Sequence, residues 1–373
     1  MTEMVDTTQL RVLLSEAGYR FVEPPIVSDA DVFLDVAGED LRRRLYLTTS
    51  ADGREQCLRP EFTIPVCLQH IATGDAHRTA DYAYLGPVFR QRPGGVNGEF
   101  LQAGIESLGR TDRITADADV LALALDAVRL YGLDEPIVRI GDSMLFSAVI
   151  DQLGIAAVWK RRLSRAFGDR ARLDATIERL SGGKSAEAPA HAGFLAALDG
   201  TDHDAAHRIV EDLLSIAGIR AVGGRSAGEI ADRFLEQSAL AAGGGLDDRA
   251  QAVLGRFLRI VGKPAAVLED LKALSADEKL GMDASIDGFE KRADGLARRG
   301  IDLERLDFAA DFGRRLDYYS GFVFEIYDKA LPAGQQVVGG GRYDRLMPLL
   351  GAKSTVPAVG FALWLDRVKE VTA

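Results

Sequence analysis

Polar, aromatic and glycine residues occur together in several short segments of this chain, in combinations suited to binding a small polar ligand. In chain order the segments are L-R-P-E-F-T (58–63), G-P-V-F-R (86–90), E-F-L-Q-A-G-I-E (99–106), R-R-L-D-Y-Y (314–319), G-G-G-R-Y-D (339–344) and G-F-A-L-W-L-D-R (360–367). Converging acidic, amide, hydroxyl and basic groups can pair with each polar group of a free amino acid. No lysine follows the glycine run, so it is not a phosphate loop of the G-x-x-x-x-G-K-[ST] type. The sequence has no Ser/His/Asp or Cys/His arrangement, which argues against an acyl-transfer enzyme.

Local patterns predict the elements that must position these segments. Helical spacing of apolar residues predicts helices over residues 7–18, 64–73, 117–131 and 363–368. Runs of β-branched and aromatic residues predict strands over 42–49, 55–59, 81–91, 99–108, 136–142, 306–312, 322–327 and 336–339. The stretch between the strands at 136–142 and 306–312 is rich in Ala, Leu and Arg and has helical periodicity. Strands before and after a helical middle predict an α+β fold, with a discontinuous core (residues 1–142 and 302–373) and a mainly helical insertion (residues 143–301).

Composition limits the classes of function. The chain has 373 residues, 47% of them apolar, and a net charge of −11, which disfavours non-specific binding to nucleic acid. Its two cysteines are not in C-x-x-C spacing, so neither a disulfide framework nor a metal site is expected. The N-terminus is acidic and no run of about 18 apolar residues occurs, so we expect neither a signal peptide nor a membrane span. The expected location is cytoplasmic.

The six segments, in this order, resemble the catalytic domain of histidyl-tRNA synthetase, a class II aminoacyl-tRNA synthetase. The resemblance covers roughly residues 5–140 and 304–370, and L-D-Y-Y followed by G-G-R-Y-D is the histidine-specific pair within that class. It implies a class II synthetase-like core: a mixed, mostly antiparallel sheet flanked by helices. It also implies a two-fold dimer interface around residues 19–32.

The resemblance further implies a histidine pocket. Glu61, Thr63 and Gln102 would face the ammonium of the ligand, and Glu106 and Tyr319 would face the ring nitrogens. Tyr318 would help to shape the pocket, and Arg314 would lie near the carboxylate of the ligand. A site that pairs both ring nitrogens should reject analogues that lack them, because its own buried polar groups would be left unpaired.

The segments that would bind ATP depart from the synthetase pattern. The family's second motif reads F-R-x-E, whereas residues 89–92 read F-R-Q-R, so that Arg92 replaces a carboxylate. In the third motif Trp364 stands where the family has a glycine that leaves room for adenine. An indole has about 150–250 Å² of surface to bury and would occupy that space. Arg90 and Arg367 remain as candidate phosphate contacts, yet we expect ATP use to be lost.

The sequence ends six residues after Arg367, and we expect no anticodon-binding domain and no tRNA partner. A kept amino-acid pocket with altered adenylation motifs resembles the synthetase paralogues that serve as regulatory subunits of ATP phosphoribosyltransferase. That resemblance implies a non-catalytic subunit without a cofactor. Its partners would be a short-form ATP phosphoribosyltransferase catalytic subunit, a second copy of itself within a hetero-oligomer, and free L-histidine as a feedback effector.

Two alternatives remain open. A truncated histidine-activating enzyme would still form an aminoacyl-adenylate, although Arg92 and Trp364 argue against it. A scaffold would hold the catalytic subunit and bind no ligand.

Overall fold

A computed structural model gives the structure of the chain. It describes residues 6–36, 39–92, 94, 97–181, 208–209, 212–213, 216, 221–222, 225–226, 246–314, 318–332 and 335–372. Contacts between Cα atoms divide the chain into two units, the first made of residues 1–145, 260–273 and 283–373, the second of residues 146–259 and 274–282. The insertion at residues 143–301, with those bounds, stays a prediction.

Strands and helices follow one another along the described chain. The strands are β1 (Arg20–Phe21), β2 (Val27–Asp29), β3 (Leu47–Thr49), β4 (Glu55–Leu58), β5 (Ala80–Phe89), β6 (Glu99–Leu108), β7 (Ile137–Asp142), β8 (Ala221–Val222), β9 (Arg225–Ser226), β10 (Val261–Gly262), β11 (Leu306–Ala309), β12 (Phe322–Tyr327), β13 (Val338–Arg342) and β14 (Ala358–Trp364). The helices are α1 (Thr8–Glu16), α2 (Ala30–Val36), α3 (Glu39–Arg42), α4 (Thr63–Ile71), α5 (Arg113–Arg129), α6 (Ser143–Asp151), α7 (Ala157–Ala166), α8 (Arg170–Ser181), α9 (Asp248–Phe257), α10 (Pro264–Glu278), α11 (Asp283–Arg298), α12 (Leu346–Leu349) and α13 (Leu365–Thr372).

The first unit is built on a nine-stranded sheet with the order β1-β5-β6-β14-β13-β12-β7-β11-β10. The β1–β5 and β11–β7 pairs are parallel, and the other neighbours are antiparallel. The sheet is therefore mixed and mostly antiparallel, as predicted. A smaller sheet, β2-β4-β3, is fully antiparallel, and Asp52 and Gly53 lie in the turn between β3 and β4.

Two long strands and two helices set the frame of this unit. Strands β5 and β6, which were predicted over residues 81–91 and 99–108, form an antiparallel pair over ten residues each. Helix α5 packs against β13, β14 and α11. It has ten buried residues, because its apolar side chains cover more of its surface than a single stripe. Helix α4 begins at Thr63, one residue earlier than predicted.

Strand β14 corrects the sequence analysis. Residues 363–368 were expected to be a helix, but Leu363 and Trp364 end β14, and α13 begins at Leu365. Six of the seven residues of β14 are buried, because the strand lies between β6 and β13 and is covered on both faces. Such a strand has no apolar–polar alternation to identify it. The predicted strand at 42–49 is also shorter than expected, since Arg42 ends α3 and β3 begins at Leu47.

The second unit contains α7, α8 and α9 around an aromatic cluster. The ring of Phe146 stacks on Phe167 with centroids 4.5 Å apart and lies 6.2 Å from the ring of Phe257. Trp159 is fully buried among these helices. In both units, every helix within the described ranges is too short or too polar to cross a membrane.

Candidate functional site

One face of the large sheet carries glycines where polar side chains must lie close to the backbone. Gly360 of β14 pairs in register with Glu106 of β6, and a Cβ at Gly360 would collide with the carboxylate of Glu106. A Cβ at Gly339 of β13 would collide with the guanidinium of Arg314. The absence of these two side chains lets a carboxylate and a guanidinium lie directly on the sheet.

Glu106 lies at the centre of this face and is only 1% exposed. Its Oε1 accepts a hydrogen bond from the Thr63 hydroxyl at 2.7 Å, and its Oε2 accepts one from the hydroxyl of Tyr343. Burial raises the pKa of Glu106 to about 8, although the hydrogen bonds from Tyr343 and Thr63 act in the opposite direction. A carboxyl group with this pKa exchanges its proton near neutral pH, so it can either accept from or donate to a ligand.

Glu61 is held at the first turn of α4. Its carboxylate accepts hydrogen bonds from the backbone N–H groups of Thr63 at 2.7 Å and Ile64 at 2.9 Å. These N–H groups have no partner within the helix, and a carboxylate at a helix N-terminus is favourable. Burial nevertheless raises the pKa of Glu61, and the N–H of Ile64 and the charge of Arg90 oppose this effect. Glu61 thus places a carboxyl group beside Thr63.

Three tyrosines cluster beside Glu106, and one arginine contacts a member of this cluster. The rings of Tyr318 and Tyr319 lie 5.1 Å apart, and they lie 5.9 and 6.5 Å from the ring of Tyr343. Nη1 of Arg314 donates to the Tyr319 hydroxyl at 3.2 Å, and its Nε lies 3.4 Å from a carboxylate oxygen of Glu325. Glu325 therefore balances the charge of Arg314 and holds it beside the tyrosines.

Gln102 and Trp364 face each other across β6 and β14. Gln102 lies two and four residues from Gly104 and Glu106, so its side chain shares their face of the sheet. Among the described residues, neither the Oε1 of Gln102 nor the Nε1 of Trp364 has a hydrogen-bond partner, and both atoms are buried. A buried unpaired polar group costs about 1–3 kcal/mol, so both atoms are candidates for pairing with a ligand.

Positive charge accumulates at the end of this face near Trp364. Arg90 donates from Nε to the Pro60 carbonyl oxygen at 2.7 Å, and the guanidinium of Arg367 lies 4.9 Å from the Trp364 ring centroid. Burial lowers the pKa of Arg90 to about 10, with Arg314 and Arg367 adding repulsion. Burial and then the charge of Arg92 lower the pKa of Arg367 as well. The indole of Trp364, at the sequence position where the synthetase pattern has a glycine, lies beside the guanidinium of Arg367.

Comparison with known proteins gives the family. The chain matches the family model described as histidyl-tRNA synthetase over residues 4–222 and 205–368. It is 42% identical over 361 residues to the ATP phosphoribosyltransferase regulatory subunit of Brucella canis, covering 96% of this chain and 95% of the relative. Proteins of the same name from Brucella suis and Brucella melitensis match equally well. This chain belongs to the family of ATP phosphoribosyltransferase regulatory subunits, which are related to histidyl-tRNA synthetase.

Solved structures support the class II synthetase fold of this regulatory-subunit family. One is described as an ATP phosphoribosyltransferase regulatory subunit/histidyl-tRNA synthetase from Bacillus halodurans, with a TM-score of 0.64 and 22% identity, covering 98% of this chain and 77% of that one. Histidyl-tRNA synthetase from Nostoc sp. gives a TM-score of 0.63 at 17% identity, covering 97% and 69%. At these identities the likeness concerns the fold alone.

In this family member, the structure brings together most of the residues that the sequence predicted. Glu61, Thr63 and Glu106 are joined by hydrogen bonds, and Arg314 is joined to Tyr319. Their roles toward histidine stay predictions, as do the phosphate contacts of Arg90 and Arg367. Residues 315–317, within the R-R-L-D-Y-Y segment, lie outside the described residues.

Two partners of the site were not predicted from the sequence. Tyr343 donates to Glu106, and Glu325 pairs with Arg314. Tyr343 belongs to the G-G-G-R-Y-D segment, so the signal was present, but no role was assigned to it. Glu325 follows R-R-L-D-Y-Y by six residues on β12, where its partner could be identified only from the register of the sheet.

Proposed function

We propose that this chain is a non-catalytic regulatory subunit of ATP phosphoribosyltransferase, the enzyme of the first step of L-histidine biosynthesis. It is required for the activity of a short-form catalytic subunit and mediates feedback inhibition by free L-histidine. The observation that carries the proposal is the buried carboxyl group of Glu106, held between Thr63 and Tyr343 with a pKa near neutral. The name shared by relatives that are 42% identical supports the regulatory role.

The chemistry of Glu106 suits an imidazole ring. Imidazole has one nitrogen that donates and one that accepts when it is neutral, and two donors when it is protonated. A carboxyl group that changes protonation near pH 8 can match either form. Tyr319 supplies a second hydroxyl near the ring, while Gln102, Thr63 and Glu61 supply acceptors for the ammonium. Arg314, held by Glu325, supplies the cation for the ligand carboxylate.

We propose that the chain is not catalytic because of the side chains at the arginine-rich end of this face. Adenylate formation needs an adenine slot, and here the side chain of Trp364 is only 4% exposed and is covered by the guanidinium of Arg367. Arg92 stacks over Phe100 with its guanidinium 5.0 Å from the ring centroid, where the synthetase pattern has a carboxylate. We propose no tRNA partner, no cofactor, no bound metal and no membrane contact for this cytoplasmic subunit.

The partner of the chain is a short-form catalytic subunit, and the assembly is a hetero-oligomer containing a homodimer of this chain. Closed symmetric dimers are the commonest oligomers, and the segment around residues 19–32 is the candidate interface. Feedback inhibition in such an assembly is a coupling free energy between two sites, commonly about 1–3 kcal/mol.

Isothermal titration with L-histidine is the direct test. We expect saturable binding at one site per chain, and binding weakened at least tenfold by Glu106→Gln. Glu304→Gln is the matched control, because Glu304 is exposed on another part of the first unit. A flat trace with the wild-type chain would contradict histidine sensing and favour a scaffold. Co-purification tests the partner. We expect the tagged chain to recover a phosphoribosyltransferase, and we expect histidine to inhibit the recovered enzyme.

A histidine-activating enzyme is the second candidate, because Arg90 and Arg367 remain beside the pocket. It predicts histidine-dependent exchange of pyrophosphate into ATP. We expect no such exchange, and exchange above a histidine-free control would favour this alternative.

A further inference from the structure

A buried network of charged residues lies on the sheet face opposite the pocket. Arg342, the last residue of β13, donates from Nε and Nη2 to Oδ1 of Asp117 on α5 at 2.9 and 2.7 Å. Its Nη1 donates to Oδ1 of Asp344 at 2.9 Å, and its Nη2 also donates to the carbonyl oxygen of Arg113 at 3.0 Å. The guanidinium of Arg342 is thereby held on three sides.

Asp117 connects this cluster to a second helix. Its Oδ2 accepts from Nε of Arg292 on α11 at 3.0 Å, and Arg292 also donates to Asp142 at the end of β7. The side chains are almost completely buried, with exposures of 0% for Asp117, 3% for Arg342 and 9% for Arg292. The network therefore joins α5, α11, β7 and β13 through buried ion pairs.

Three arginines and three carboxylates make up this network, because the guanidinium of Arg113 also lies 3.1 Å from a carboxylate oxygen of Asp344. Burial alone would lower the pKa of Arg292 and of Arg342, yet Asp117 and the neighbouring carboxylates raise both above the ordinary value. Breaking one partner of a buried ion pair leaves an uncompensated charge, so the arrangement tolerates little displacement. Arg342 is consequently fixed in position.

Tyr343 connects the network to the pocket. It follows Arg342, the last residue of β13, and its side chain contacts Glu106 on the pocket face, whereas the side chains of Arg342 and Asp344 contact each other within the network. Its backbone N–H donates to the carbonyl oxygen of Ala358 at 2.8 Å, and Oδ1 of Asp344 accepts from the N–H of Ala358 at 2.9 Å. Network residues thus hold Tyr343 on both sides, while its hydroxyl donates to Glu106.

We propose that Arg342 and Asp117 are positioning residues for the ligand pocket. Their buried ion pair fixes the Tyr343 hydroxyl against Glu106 and thereby sets the affinity of the pocket for histidine. This inference rests on the proposed function, because histidine is the ligand through which affinity is measured.

A double-mutant cycle between Arg342→Lys and Tyr343→Phe tests the inference. Lysine keeps the charge but cannot reproduce the fork that contacts Asp117 and Asp344 together. We expect R342K to weaken histidine binding about tenfold when Tyr343 is present, a coupling typical of residues in one network. In the Y343F background, R342K should change the affinity less than about twofold, because the transmitting hydroxyl is already gone. Isothermal titration of the full-length chains, at a temperature where circular dichroism shows each to be folded, gives the affinities.

Controls separate positioning from general destabilisation. Leu14→Ala removes buried apolar contacts of α1, which packs against β1 at the edge of the sheet. It should lower the melting temperature without changing histidine affinity. If R342K does not fold, Asp344→Asn is used instead, since the asparagine oxygen can keep the contacts with Arg342 and Ala358 while the charge is lost.

The inference is overturned if R342K weakens binding equally in both backgrounds, or if L14A weakens it to the same extent as R342K. A wild-type chain that does not bind histidine overturns both the proposed function and this inference. Binding by the wild type with an additive cycle overturns the inference alone.

Discussion

The carboxyl group of Glu106 lies between two hydroxyl groups in a region that solvent hardly reaches. Burial and hydrogen bonding act on it in opposite directions, and burial has the larger effect, since the pKa rises to about 8. The folded chain therefore keeps this proton at pH values where an unfolded glutamate has lost it. The proposed recognition of histidine and the stability of the fold are therefore linked at this residue.

Stability should fall as the pH rises because of Glu106. The folded pKa of about 8 lies above the ordinary 4.5, so Glu106 contributes fully below pH 4.5 and loses its contribution as the pH approaches 8. Within that window one proton changes the free energy of unfolding by up to about 1.4 kcal/mol per pH unit. Glu106→Gln, which resembles the protonated form, should give a flatter profile. Urea unfolding of both proteins from pH 5 to pH 8 measures the difference, and parallel profiles would contradict the assigned pKa.

Trp364 is expected to contribute to stability and to exclude nucleotide. Trp364→Gly removes a side chain that is only 4% exposed, so we expect a loss of about 3–5 kcal/mol in the free energy of unfolding. It also opens the space beside Arg367, so ATP should raise the melting temperature of W364G and not that of the wild type. Thermal denaturation with and without ATP measures both effects. Equal protection of the two proteins would show that Trp364 does not block the slot.

At the scale of the elements, the pocket depends on glycines of β13 and β14. Because these residues have no side chain, polar side chains can lie directly over the strands. Gly360 lies on β14 between Glu106 of β6 and Gly341 of β13 in the register of the sheet. A side chain there would meet the carboxylate of Glu106 and the backbone carbonyl of Ile105, and the backbone cannot move without breaking the ladder. The packing of the strand and the proposed ligand site therefore depend on the same residue.

Paired glycine substitutions test this requirement. Gly360→Ala should lower the free energy of unfolding by about 1–3 kcal/mol through overpacking and should abolish histidine binding. Gly288→Ala is the matched control, because Gly288 lies inside α11 and a Cβ added there would have no other atom within 4 Å. The control should raise stability by about 0.5–1 kcal/mol and leave binding unchanged. Chemical unfolding and titration give both quantities, and tolerance of G360A would contradict the close packing.

The sequence predicted some elements well for identifiable reasons. Strands β5 and β6 are long, rich in aromatic and β-branched residues, and separated by a Pro/Gly segment, so their antiparallel pairing could be predicted. Strand β14 could not, because burial on both faces removes alternation. The two residues of β10, within a stretch predicted to be helical, form a strand only by pairing with β11.

The sequence predicted which residues form the site, but not which of them contact each other. Glu61, Thr63, Gln102 and Glu106 were identified from motifs close together in the chain. The bond from Tyr343 to Glu106 joins residues 237 positions apart, and the ion pair from Arg342 to Asp117 joins residues 225 apart. Such contacts follow from the strand order β6-β14-β13, which local patterns do not encode.

At the scale of the whole molecule, the pocket and the buried network both lie in the first unit, on opposite faces of one sheet. Glu106 contacts Tyr343 on one face, and Arg342 contacts Asp117 on the other. A ligand that changes the position of Tyr343 must therefore strain a network that tolerates little displacement. Asp117 lies on α5 and Arg292 lies on α11, so these two helices are the elements that would move.

Regulation through this chain requires reciprocal coupling. If histidine weakens the equilibrium binding of a substrate to the catalytic subunit by some factor, that substrate must weaken the binding of histidine by the same factor. For a coupling free energy of about 1–3 kcal/mol the factor lies between about 5 and 150. Titrating the assembled complex with histidine, with and without saturating substrate, gives one factor, and titrating with substrate at saturating histidine gives the other.

Agreement of the two factors, together with their loss in Glu106→Gln, would place the effector in the pocket of this chain. Assembly should survive this substitution, because Glu106 is buried inside the first unit and its neighbours in the described chain all belong to that unit. If E106Q leaves inhibition intact, the effector acts from another position and the pocket of this chain is not the sensor. Because the control variant E304Q makes the same substitution outside the pocket, a general effect of replacing glutamate by glutamine would appear in both proteins, whereas loss of the effector site would appear in E106Q alone.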